Sequence, residues 1–178
     1  MIARIKRHTM KSDNKIYNLL LPIWLLIFFP SWLWLLLIPA NYLIDRIVLR
    51  WSLGDMPEKG LFCRNHNWKI CLAGFVSDFA GAILLFALNQ LMFGMNDDVN
   101  SFISKAADGL MFNPFSNVLS LIIVIAAIAI SAVCIYKLDK SILIKAGLDI
   151  DQAKKSAIRL AIITAPYVYM IPSEWFYN

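Results

Sequence analysis

Residues 70–93, ICLAGFVSDFAGAILLFALNQLMF, hold one charged side chain, Asp78, in 24 positions. A helix of that length rises about 36 Å, enough to cross a hydrocarbon core of about 30 Å. The run therefore predicts a membrane-spanning helix. Asp78 comes nine residues after Lys69, about 14 Å along the axis and so near the bilayer midplane. A lone carboxylate there is costly and is normally paired, protonated or turned to a polar cavity. Gly74, Ser77 and Gly81 surround it with a small-residue surface that lets a second helix approach closely. Asp78 can be read as a proton or ion site, or as a protonated group hydrogen-bonded across a helix interface. The second is preferred because no other intramembrane acid is apparent in the sequence.

Outward from this run lie three more, at residues 16–44, 118–136 and 157–172. The first has 29 residues interrupted by Pro22, Pro30 and Pro39, and as one helix it would be about 43 Å long. With Pro30-Ser31 at its centre it predicts a re-entrant or hairpin segment. The alternative is a single tilted helix over about residues 19–38. Its basic start resembles a signal peptide, but the run is too long and Ile38-Pro39-Ala40 is a poor cleavage site, so it is expected to be retained.

Charge placement supports the hairpin, because Lys and Arg near membrane ends favour the cytoplasm. Five basic residues precede the first run and five more (Arg46, Arg50, Lys59, Arg64, Lys69) follow it. Residues 94–117 hold only Lys105, and residues 137–159 hold six. A hairpin leaves sixteen of the 17 inside, whereas four single crossings leave eleven. The expected fold is thus an all-α polytopic membrane protein, one integral domain over residues 1–178. It comprises a Pro-broken N-terminal hairpin and three transmembrane helices, with the N-terminus cytoplasmic and the C-terminus extracytoplasmic.

Composition agrees: 60% hydrophobic and 16% charged residues are too apolar for a soluble domain of this length. The excess of 17 basic over 12 acidic residues is expected to anchor loops on anionic lipid, and nucleic acid is not an expected partner. Ile44, Ile47, Val48 and Trp51 recur at helical spacing with Asp45, Arg46 and Arg50 on other faces, which predicts a helix lying on the cytoplasmic surface. Val99, Phe102, Ile103, Ala106 and Leu110 predict a second surface helix, capped by Asp97 or Asp98 and stopped near Gly109. The third span should continue past Tyr136 to Gly147, after which Asp149 and Gln152 resemble a capping box.

Arg159 is expected to snorkel to the headgroups, with a pair to Asp78 as the alternative. Pro166 should kink the last helix and free a carbonyl over residues 160–162. Tyr167, Tyr169, Trp175, Phe176 and Tyr177 read as an interfacial aromatic belt. Cys63, His66 and Cys71 fall one ligand short of a zinc site, so no metal and no cofactor is expected. With only His8 and His66, and no Walker or dinucleotide-binding glycine pattern, a self-contained enzyme is not expected either. The functional expectation is a noncatalytic subunit or scaffold of a bacterial plasma-membrane complex of secretion, conjugation or envelope type. Its partners would be the lipid bilayer and other membrane chains or copies of itself. The alternative is a homo-oligomeric pore or a proton- or cation-linked transport component that uses Asp78.

Overall fold

The computed structural model describes residues 22, 24–25, 34–94 and 101–176, which are helical or turn with no strand among them. Among the described residues there are five α-helices: α1 Trp34–Ser52, α2 Lys59–Gly94, α3 Phe102–Met111, α4 Val118–Lys145 and α5 Ile150–Ile163. Two of them, α2 and α4, are long and apolar enough to cross a membrane. They pack antiparallel along the middle of the molecule. Gly81 permits the contact, since a Cβ there would collide with the Ser131 hydroxyl and press on Tyr169.

Around this pair the remaining elements divide between two ends. At one end, Asn89 Nδ2 of α2 donates to the Ala107 carbonyl of α3, 3.0 Å away. Gly109 lies in the last turn of α3, near the expected stop, and also marks a close approach, since a Cβ there would strike Ser120 of α4. Ser101 caps α3, its hydroxyl accepting from Ser104 N, while Asp97 and Asp98 lie outside the described residues. At the other end, α1 and α5 pack against the Lys59 end of α2 and the Lys145 end of α4. Gln152 Nε2 of α5 donates to the Ser52 carbonyl of α1 at 3.0 Å, which sets residues 53–58 and 146–149 side by side. Gly147, at φ +98°, turns the chain from α4 into α5.

Several boundaries differ from expectation. The basic stretch 59–69, expected from its charge and its place between two apolar runs to be a cytoplasmic loop, is the opening of α2. Residues 44–51 are the second half of α1, not a separate surface helix, and Asp45, expected on its polar face, is turned inward. Asp45, Val48, Leu49 and Ser52 are buried, whereas Ile44, Ile47 and Trp51 are exposed. The contacts of α1 with α2 and α5 decide this, because an apolar face can turn to lipid as readily as to a core. The Asp149 carboxylate caps α5 at Asp151 N and Gln152 N, but the Gln152 side chain goes to Ser52 instead of closing the box.

The last run is not one long helix. α5 has 14 residues, about 21 Å, and ends three residues before Pro166. Thr164 N and Oγ1 both bond the Leu160 carbonyl, at 2.8 and 2.9 Å. The Tyr167 hydroxyl takes the Ile162 carbonyl at 2.6 Å. Proline therefore stops this helix and does not kink it, and the freed carbonyls find donors nearby. Short 3-10 turns then carry the chain to the α3 end, where Ser173 N donates to the Phe112 carbonyl.

The expected turn at Pro30 and the cytoplasmic N-terminus fall outside the described residues. Two tryptophans outside residues 26–33 make described contacts. Trp24 Nε1 donates to the Leu110 carbonyl at the α3 end, and Trp34 stacks on Phe75 at 6.2 Å, midway along α2.

Candidate functional site

On α2, Asn67, Cys71, Asp78 and Gly81 fall at helical spacing, so they share one face. On α4 the same spacing aligns Ser131, Ile135, Asp139 and Leu143. These two faces meet each other, and α1 brings Asp45 against them. Three carboxyls from three helices thus enter one core: Asp45 is 5% exposed, Asp78 8% and Asp139 1%. The Cys71 thiol donates to the Asp45 carboxyl, and Asp45 lies within electrostatic range of both Asp78 and Asp139.

Polar satisfaction around them is incomplete. Both Asp139 oxygens, Asp78 Oδ1, Asn67 Oδ1 and Ser156 Oγ of α5 have no hydrogen-bond partner among the described residues. Asn67 does use its amide, donating to the Tyr42 carbonyl at 2.8 Å. Among the described residues the one ion pair is Lys154–Asp151 at 4.0 Å, on the surface. A buried carboxyl without a donor or a countercharge is stable only with a proton or a cation on it. No group of His, Cys, Asp and Glu among the described residues is arranged to hold a metal ion. Cys63 and Cys71 are buried and unpaired by any disulfide, and the His66 ring lies 4.7 Å from that of Phe62.

The other expected site residues part company. Ser77 sits beside Asp78 but donates to the Ala73 carbonyl of its own helix at 2.8 Å, a bond internal to α2. Gly81 makes the helix crossing, whereas Gly74 faces open space. Arg159 does not reach Asp78. Its guanidinium stacks over Trp51 at 4.5 Å, within 3.5 Å of the Ser52 carbonyl, at the end of the bundle where the basic residues gather. Pro166 leads into the turn that places Tyr169, and Tyr169 is not part of an aromatic belt. It is 1% exposed, with its hydroxyl donating to the Asp78 carbonyl.

Asp45, Asp139 and Tyr169 escape a reading of the sequence for different reasons. Asp139 could have been found, since it lies eight residues after Ser131 on the inward face of α4. Asp45 looks solvated because basic neighbours surround it in sequence. Nothing in the spacing distinguishes Tyr169 from Tyr167. Comparison of the chain with protein-family models, curated proteins and solved structures finds no match.

Proposed function

We propose that the protein is a proton-linked transport component of a bacterial plasma membrane, with Asp45, Asp78 and Asp139 as its proton-binding column. The observation that carries this is the convergence of three buried carboxyls from three helices, without a cationic partner among the described residues. Ionisable groups inside a membrane bundle are costly and typically mark ion or proton pathways. They are also poor choices for packing alone, since an apolar residue of similar size would stabilise the core more. In this reading the end holding Ser52, Gln152 and Arg159 faces the cytoplasm, with the basic residues of 46–69 and 137–159 around it. The end holding α3 and the C-terminus faces away. The final segment crosses as α5 and its 3-10 turns, making a third passage beside α2 and α4.

A second reading, the noncatalytic subunit or scaffold, is favoured by a different observation. A cleft of about 510 Å³ opens between α1 and α2, lined by Trp34, Ile38, Trp68, Phe75 and Phe79 among others, where a partner's transmembrane helix would seat.

Proton flux into liposomes separates the two. The wild type should carry flux that Asp139→Asn and Asp78→Asn abolish while oligomer size in detergent stays unchanged. Flux that is absent from the wild type, or intact in both variants, would refute proton transport.

A further inference from the structure

Beyond its inward polar stripe, α4 has an outward face that changes character along its length. Residues 118–135 are apolar apart from Ser120 and Ser131, both buried. As helix they rise about 27 Å, close to the thickness of a hydrocarbon core. Directly after them come Lys137, Lys140 and Lys145. With Tyr136, Ser141 and Ile144, these lysines occupy one half of the helix circumference and line a cleft of about 470 Å³.

Three features of this face suit an anion at a membrane surface. The first is the absence of an opposing charge. Asp139 is the one acid in α4, and it points into the core at 1% exposure. Among the described residues no carboxylate pairs with any of the three lysines. The second is depth. Lys140 Nζ lies 5.8 Å from the centre of the Tyr136 ring, which draws the ammonium one helical turn back toward the apolar segment. That is the level at which phosphates stand above acyl chains. The third is mixed chemistry: Tyr136 and the exposed Ile144 give apolar walls beside the charges. Lysines act as point charges and suit a phosphodiester without demanding the bidentate geometry of arginine. A soluble phosphate would gain nothing from those walls, whereas a lipid uses both charges and walls.

We propose that this face of α4 binds the headgroup of an anionic phospholipid. The site rests on the reading of α4 as a membrane span and is independent of proton transport. It would hold an annular lipid at the cytoplasmic end of the bundle, against the helix whose other face carries Asp139.

The test is native mass spectrometry of lipids retained by the protein released from nanodiscs of mixed phosphatidylglycerol and phosphatidylcholine. The wild type should prefer phosphatidylglycerol, by roughly fivefold for each lysine engaged. The triple variant Lys137→Gln/Lys140→Gln/Lys145→Gln should lose that preference. Lys154→Gln/Lys155→Gln on α5 should retain it, and so should the triple Lys→Arg variant, which also guards against a folding defect. Equal retention of phosphatidylglycerol by the wild type and the Gln triple would overturn the proposal. So would displacement of the lipid by excess inorganic phosphate, which would identify a free anion as the ligand. Failure of the span itself reads differently: the wild type would stay in the aqueous phase without detergent and enter no nanodisc.

Discussion

The two halves of the bundle differ in how completely they pair their buried polar groups. In the α3 half, a core of Ala82, Leu85, Ala106, Ala107, Leu110, Val124 and Ala127 contains polar atoms most of which find donors or acceptors, Ser131 Oγ beside Gly81 being an exception among the described residues. Asn89 bonds Ala107, Trp24 bonds Leu110, and Ser120 bonds the Pro114 and Asn117 carbonyls. In the α5 half, Val48, Leu49, Ile70, Leu143, Ala157 and Leu160 surround groups that do not. Asp139, Asn67 and Ser156 keep polar atoms without partners among the described residues. The first arrangement builds a rigid core. The second leaves buried polar atoms, Asp139's carboxylate among them, without partners among the described residues, at a cost in stability.

The largest effect should come from the junction of the halves. Gly81→Leu drives a side chain into Ser131 and Tyr169 and should destabilise the protein by about 3 kcal/mol. Gly74→Leu, on the same helix but facing open space, should change stability little. Reversible unfolding in mixed micelles checks both, and an equally damaging Gly74→Leu would break the picture of a single tight crossing.

Next comes a difference of sign. Asp139→Leu removes an unpartnered buried carboxyl and should stabilise the fold by about 2 kcal/mol. Asn89→Leu strips the Ala107 carbonyl of its donor and should destabilise by about 1 kcal/mol. The same unfolding assay measures both, and a loss of stability in Asp139→Leu would mean that this carboxyl is a structural bond donor after all.

Tyr169→Phe deletes the hydroxyl that anchors the C-terminal turns to the Asp78 carbonyl. A loss of about 1 kcal/mol is expected, with faster proteolysis of the chain after residue 164 as a second readout. The smallest change should be Arg159→Gln. It removes the guanidinium from Trp51 and Ser52 at an interfacial site, worth about 0.5–1 kcal/mol. Trp51 fluorescence should shift while proton flux persists; a loss of flux would instead tie Arg159 to the carboxyl column.

Much of the helical plan was legible before any coordinates. Apolar length alone marked 70–93 and 118–136 as membrane-crossing segments, because a run that can cross hydrocarbon must satisfy its backbone within itself. Gly147 and Asp149 announced the turn from α4 into α5, since a left-handed residue and a capping carboxylate are local devices. Asp78 stood out for the same reason that it is costly. Local signals could not say which way α1 faces, because its apolar side suits lipid and protein equally. Only the packing of α1 against α2 and α5 turns Asp45 inward and places it with Asp78 and Asp139. Nor could they show that the last run breaks at Pro166 and sends Tyr169 into the core, where its hydroxyl meets a carbonyl 91 residues away. Periodicity states which residues share a face. What that face meets depends on contacts between segments distant in sequence, and the carboxyl column is made entirely of such contacts.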